Sequence, residues 1–203
     1  LALSFVRTAK DVAGLRRLAG IATRVVHLAP PPGDGQAKWW TDPRTLALVR
    51  TLRLRTPARS FVYGSTSGVY GDCDGDWVSE TRAVAPRTPR AQRRVDAERL
   101  VRHLGRSGVR VSILRIPGIY APDREGGTPR ERLLKGLPAL VREQDTYTNH
   151  IHADDLGRAC AIALWRGPVH RVIQVVDDTE LLMGDYLDMA ADLMALQRPV
   201  RVD

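Results

Sequence analysis

Ser60–Asp72, SFVYGSTSGVYGD, is the stretch whose reading decides the fold. Phe61, Val62 and Tyr63 are strand formers, and Gly64 to Ser67 then bring small and hydroxyl-bearing residues together. A β-rich apolar run that breaks abruptly into Gly, Ser and Thr reads as a parallel strand ending at a site, because ligands of open α/β sheets bind beyond the carboxyl ends of the strands. The plainer alternative is a Ser/Gly turn with no ligand.

Working outward, two similar patterns flank this strand. Upstream, Thr23 to Ala29 (TRVVHLA) reads as a buried strand that must leave the sheet at Pro30-Pro31-Pro32-Gly33. Asp42 is a candidate N-cap for a helix from Pro43 to Arg55, with Leu46, Val49, Leu52 and Leu54 on its apolar face. Strand, helix and strand make a βαβ unit, which should be right-handed. Downstream, a Gly- and Pro-rich loop over 72–89 carries Trp77 and Glu80. A helix over 90–104 and a strand from Arg110 to Ile116 follow, the latter broken by Pro117-Gly118. Further expected elements are a helix on Val12, Leu15, Leu18 and Ala19 after the apolar start LALSFV, a basic helix around Pro129–Lys135, and a short strand-like run near Ala139–Val141. A helix after NHIH with Asp154 or Asp155 capping it, a strand from Val172 to Val176, and a last amphipathic helix from Gly184 to Leu196 complete the set. The fold class is α/β.

Composition bounds the function. With 203 residues and 43% apolar content the chain can bury one real core, and its apolar runs are too short to span a membrane. Cys73 and Cys160 lie far apart with no CxxC, which suits a reducing, cytoplasmic setting and argues against a disulfide scaffold or a zinc ribbon. The net charge of +8 is uneven: residues 1–110 hold 20 basic and 9 acidic residues, residues 111–203 hold 11 and 14. The 28 arginines are scattered without interleaved aromatics, so a phosphate-bearing small molecule fits the charge better than nucleic acid. His150, His152 and Asp154 would share one side of a strand, as metal ligands can, but nothing else supports a metal. No G-x-S-x-G elbow points to a hydrolase.

STSGVYGD resembles the strand-end motif Ser-Ser/Thr-x-x-Val-Tyr-Gly of the extended short-chain dehydrogenases/reductases, the nucleoside-diphosphate-sugar epimerases and dehydratases. HLAPPP, RIPGIYAP and NHIHADD resemble three further segments of that family in the right order, over about residues 21–200. The resemblance implies a Rossmann-like doubly wound parallel sheet. The whole chain would form one NAD(P)-binding domain, with residues 123–150 and 177–203 on the substrate side. It implies NAD or NADP as cofactor and a nucleotide or nucleotide sugar as small-molecule partner, with no nucleic acid or membrane. On this resemblance Thr66 donates to substrate. Leu28, Ala29, Pro30, Ser65, Arg94, Pro117, Gly118 and Ile119 border the cofactor, and Ser67, Glu80, Arg90 and His152 border the substrate.

Two departures stand out. The family's Tyr and Lys, four apart on the helix before a Glu, fall at Arg90 and Arg94 when the helix is aligned on Glu98, and the Asp-Glu pair of dehydratases falls at Ser67 and Gly68. Arg94 can still hold a ribose or phosphate, but Arg90 cannot shuttle a proton near neutral pH. Tyr70 and Tyr120 are the remaining phenols, with Tyr120 the candidate substitute acid. The second departure is the missing G-x-x-G-x-x-G turn, which holds the pyrophosphate. Leu1 is not Met, so further residues are expected upstream. Without them Arg24–Leu28 is an unpaired apolar edge, which a homodimer could also cover, and the chain as given should bind dinucleotide weakly or not at all. Either an epimerase-like oxidoreductase of atypical site or a non-catalytic nucleotide sensor follows.

Overall fold

A computed structural model describes residues 12–33, 38–55, 58–124 and 126–203. The apolar start Leu1–Val6 and residues 34–37 of the loop before Trp39 lie outside the described residues. The chain divides into two compact units.

The first unit holds residues 1–73, 78–115 and 158–174. Its centre is a parallel sheet of β1 (Arg24–His27), β2 (Ser60–Thr66), β3 (Arg110–Ile116) and β8 (Arg171–Gln174), in the order β1-β2-β3-β8. β2 and β3 are buried almost throughout, as the continuous apolar runs imply for central strands of a parallel sheet. Helix α2 (Pro43–Leu52) supplies the β1–β2 crossover and α3 (Pro89–Gly105) the β2–β3 crossover. Both begin as their sequences dictate. Asp42 accepts from the Thr45 N–H at 3.1 Å and Thr88 from the Ala91 N–H at 3.1 Å, each followed by Pro at the first helical position. Phe61, Tyr63, Val101, Leu104 and Val109 are fully enclosed between sheet and helices, and α1 (Val12–Arg16) adds Leu15 to the same core. Burying one such side chain contributes roughly 1.5–3 kcal/mol.

Some edges differ from the sequence reading. α2 stops at Leu52, because Arg53 and Leu54 donate to the carbonyls three residues back and tighten the last turn; Leu54 is left 62% exposed, and Leu48 joins the core instead. β8 ends at Gln174, whose N–H donates to Glu80 Oε1 at 3.1 Å. β1 pairs only with β2 among the described residues, leaving Val26 and Leu28 40% and 47% exposed. Gly71 allows the turn out of β2. Its φ is +75°, and a Cβ there would stand 2.3 Å from the Ala85 carbonyl, the point where the 72–89 loop folds back to donate to Val69.

The second unit holds residues 74–77, 116–157 and 175–203. β4 (Gly118–Tyr120) pairs in parallel with β7 (His150–His152). Short pairs join β5 (Ala139–Leu140) to β10 (Arg201–Val202) and β6 (Tyr147–Thr148) to β9 (Leu181–Leu182). Its core is Leu133 of α4 (Arg130–Leu134), Ala139, and Leu187, Ala190 and Ala191 of α6 (Met183–Leu193). The last helix therefore stops three residues short of the expected Leu196, before Ala195 at φ +52°. α5 (Ala153–Arg166) follows β7. No helix among the described residues is long and apolar enough to cross a membrane.

Candidate active site

The register of β1 on β2, His27 opposite Tyr63, brings Leu28–Pro30, just past the end of β1, alongside Gly64–Thr66 at the carboxyl end of β2. Thr66 is the last residue of β2, half-buried and extended. Its Oγ1 accepts the Gly68 N–H at 3.3 Å, capping the short 3₁₀ turn Ser67–Tyr70. The Thr66 O–H meets no acceptor among the described residues, so it is free to donate. Ser67 is half-buried beside it, while Ser65 turns inward and spends its hydroxyl on Glu98 Oε1 at 2.7 Å.

Arg90 and Arg94 are placed very differently. Arg90 is exposed in the first turn of α3. Arg94, one turn later, is 6% exposed, and its Nη1 donates to the Gly64 carbonyl at 2.6 Å, the Tyr63 hydroxyl at 3.1 Å and the Ala29 carbonyl at 3.4 Å. It therefore ties together the ends of β1 and β2 and has no carboxylate partner among the described residues. Burial pushes the Tyr63 phenol up to about 12, against the pull of Arg94, so it stays protonated.

Behind this surface sits a buried ion pair that the sequence reading did not single out. Arg115, within β3, donates from Nε to Glu98 Oε1 at 3.1 Å and from Nη2 to Oε2 at 2.9 Å, and both side chains are 3% exposed. Arg102 adds a third charged donor at 3.2 Å. Burial pushes the Glu98 carboxyl up, but the hydrogen bonds from Arg115 and Ser65 outweigh it and hold the group below its ordinary value. The available signal was a lone Arg inside the apolar strand RVSILRI, which can be buried only if paired.

A second buried polar group lies under β1. The Thr45 hydroxyl donates to Asp42 Oδ2 at 2.8 Å, so His27 Nε2, 2.9 Å from Thr45 Oγ1, carries the hydrogen and donates to it. Burial lowers the His27 pKa from 6.5 to about 4, with Asp42 opposing and Arg94 and Arg44 assisting. The unfolded chain takes up this proton near pH 6.5 and the folded chain only near 4. The contribution is thus fully present above pH 6.5 and is lost as the pH falls to 4, about 3 kcal/mol in all. Denaturant titrations across that range should show a smaller loss of stability in His27→Gln than in the unsubstituted protein; equal slopes would refute the assignment.

The remaining candidates are placed as follows. Pro30 accepts from Arg44 through its carbonyl at 2.6 Å. Glu80 is exposed, and its side chain secures the Gln174 N–H. In the second unit, Pro117 and Ile119 are half-buried, and the Ile119 carbonyl accepts from Arg124 at 2.5 Å. Gly118 donates to the Asn149 carbonyl at 3.2 Å, and a Cβ there would lie 2.9 Å from the His150 ring. Tyr120 stands edge-on to His152, ring centroids 5.2 Å apart, and His150 stacks on Tyr186 at 4.4 Å. Burial, with Asp177 and Asp155, raises the Tyr120 pKa, so this phenol stays protonated at neutral pH. Burial lowers the His150 pKa against the pull of Asp177, leaving a neutral imidazole on the same strand pair. The expected common face of His150, His152 and Asp154 is not formed: the strand ends at His152, whose Nδ1 accepts the Asp154 N–H at 3.3 Å at the start of α5. That ring supplies a side-chain acceptor in the first turn of α5.

A nicotinamide dinucleotide is tested against the first unit by its free donors. The Thr66 O–H lacks an acceptor, and Arg94 carries a positive charge with no carboxylate beside it. Hydroxyl and phosphate oxygens of a nucleotide are acceptors of that kind, so these residues fit the group.

Comparison with known proteins agrees with this reading. Residues 43–175 match the NAD dependent epimerase/dehydratase family. Two trifunctional UDP-glucose 4,6-dehydratase/UDP-4-keto-6-deoxy-D-glucose 3,5-epimerase/UDP-4-keto-L-rhamnose-reductases of Arabidopsis thaliana are 28% and 27% identical over 160 and 161 residues, covering 69% and 75% of this chain. The chain spans about a quarter of the length of these relatives, 24% of each. Among solved structures, a functionally unknown conserved protein from Silicibacter pomeroyi is 28% identical, with a TM-score of 0.72 over 88% of this chain and 60% of that one. UDP-glucose 4-epimerase of Thermotoga maritima, solved with UDP-glucose, shares the fold at 18% identity, with a TM-score of 0.78 over 99% of this chain and 71% of its own. The chain, with its parallel Rossmann-like sheet and its strand-end motif, belongs to the NAD dependent epimerase/dehydratase family.

Proposed function

We propose that the protein is an NAD(P)-dependent oxidoreductase acting on nucleoside-diphosphate sugars with an atypical active site, in which no phenol stands at the family's acid/base position. The observation that carries this reading is Thr66, whose unaccepted O–H lies at the carboxyl end of β2 where a sugar hydroxyl can take it. The cofactor, when bound, accepts and returns a hydride. Arg94 supplies the positive charge of the family's Lys and holds the ends of β1 and β2 in place; Ala29 and Pro30 border it. Ser67 stands on the substrate side.

A non-catalytic nucleotide sensor on the same fold is the second reading. The donor-only Arg90 in place of a phenol favours it.

Calorimetry and steady-state turnover of the full-length protein with NAD, NADP and a panel of UDP- and dTDP-sugars separate the two. Binding with turnover, weakened about tenfold by Thr66→Val, supports the oxidoreductase. Binding without turnover supports the sensor, and no binding of any nucleotide removes both. Where turnover is found, Tyr120→Phe should abolish most of it if that phenol carries the proton.

A further inference from the structure

The last strand of the second unit carries the charge that holds its last helix. β10 pairs in parallel with β5, and from it Arg201 reaches the first turns of α6. Its Nη2 donates to Asp188 Oδ2 at 2.6 Å and stands 3.6 Å from Asp185 Oδ1. Its Nη1 donates to the Leu140 carbonyl at 3.2 Å and stands 3.6 Å from Asp145 Oδ2. That Asp145 oxygen also accepts the Gly184 N–H at 2.7 Å.

Three observations make this more than a surface ion pair. First, α6 needs it. Its N-cap, Leu182, has no side-chain acceptor, so the first-turn N–H of Gly184 depends on Asp145. The Asp145 side chain is 3% exposed, and Arg201 is the one cation paired with it among the described residues. Second, the chain makes room for the guanidinium. A Cβ on Gly184 would fall on Arg201 Nη1, so the glycine serves its neighbour and not its own backbone. Third, the arrangement reaches the rings of β4 and β7. Tyr186 follows Asp185 on α6 and stacks on His150, ring centroids 4.4 Å apart. Tyr120, the candidate substitute acid, stands edge-on to His150 at 6.3 Å and to His152 at 5.2 Å. Without Arg201, the carboxylates of Asp145, Asp185 and Asp188 would face one another with only Arg142, 2.9 Å from Asp185, to offset them. Their repulsion would act on the turn that carries Tyr186.

We infer that Arg201 is a positioning residue: through Asp145 and Asp188 it fixes the first turns of α6, and through Tyr186 it fixes the His150 ring against which the Tyr120 phenol is set. β10 is thus a strap, and drawing it away releases the stack. The bearing of this link on catalysis rests on the reading of Tyr120 as an acid; the link itself is geometry within the second unit and holds without turnover.

Nuclear magnetic resonance of the His150 ring in the full-length protein tests it. In the unsubstituted protein the ring signals should carry the shift of a stacked aromatic neighbour, and the imidazole should titrate below its ordinary 6.5, because burial disfavours its charge against the pull of Asp177. Tyr120, Tyr186 and the Thr148 hydroxyl, 3.4 Å from Nε2, are the other groups facing it. Arg201→Gln should abolish most of the stacking shift and move the titration up toward 6.5. Gly184→Ala, which leaves every charge in place and displaces the guanidinium, should do the same. Arg201→Lys, which keeps the charge, should restore part of the shift. Arg198→Gln, which breaks only the exposed pair with Asp192 at the end of the same helix, should change neither signal. His27, in the first unit, should keep its value of about 4 throughout, which excludes general unfolding as the cause. Unchanged His150 signals in Arg201→Gln, an equal change in Arg198→Gln, or a His27 that rises together with His150 overturns the inference.

Discussion

Replacing Arg90 by Tyr and Arg94 by Lys in the full-length protein should raise its turnover of nucleotide sugars by about 10²- to 10⁴-fold, the contribution of a positioned acid/base. Removing hydride from a sugar carbon leaves an oxygen that must lose its proton at the same time. Arg90 offers only donors and stays protonated at neutral pH, so it cannot receive that proton. The spacing is retained: positions 90 and 94 lie one turn apart on α3, on the same side of the helix. What the substitution restores is therefore the phenol, together with a compact cation that can lower its pKa. Arg94 also joins Ala29, Tyr63 and Gly64, so Arg94→Lys alone is the control for structure. It should lower thermal stability modestly without raising turnover. An unchanged rate in a well-folded double variant would show that the alignment of α3 on Glu98 is wrong or that another group carries the proton.

The largest effect on stability is expected at Glu98. Glu98→Ala removes the partner of a guanidinium that is 3% exposed and the acceptor of a Ser65 hydroxyl that is 4% exposed. Breaking a buried pair from one side typically costs 3–5 kcal/mol, because the remaining charge keeps its desolvation penalty without compensation. That is a large share of the 5–15 kcal/mol that holds an ordinary domain together, so the single variant is expected to unfold or nearly so. The double change Glu98→Leu/Arg115→Met removes both charges and should recover most of the loss in a urea titration. If Glu98→Ala costs under about 1 kcal/mol, or if the double variant is no better than the single one, the pair does not have this role.

How much of this could be read from the chain depends on the range of the interaction. β3 runs from Arg110 to Ile116, as the pattern of VRVSILRIPG requires, because a run of β-branched residues closed by Pro-Gly needs no distant partner to be recognised. The start of α2 was legible for the same reason, since the Asp42 cap acts on a residue three positions away. The break of β2 at Thr66 marked the strand end and, through its resemblance to a known motif, the family. Helix ends were less legible: Leu54 has the right spacing for an apolar face, yet no neighbour covers it.

The sequence by itself determined the α/β class, the main strands and helices of the first unit, and the family. Only the tertiary structure decided what Arg90 and Arg94 do. Arg90 and Arg94 are equivalent on a helical wheel, but one faces solvent and the other is enclosed by strand ends that come from residues 29, 63 and 64. The Glu98–Arg115 pair and the His27–Thr45–Asp42 chain likewise join residues far apart in sequence. Each follows from the order and register of the sheet, which set which side chains share a buried space. Periodicity along one segment carries no information about the segment packed against it.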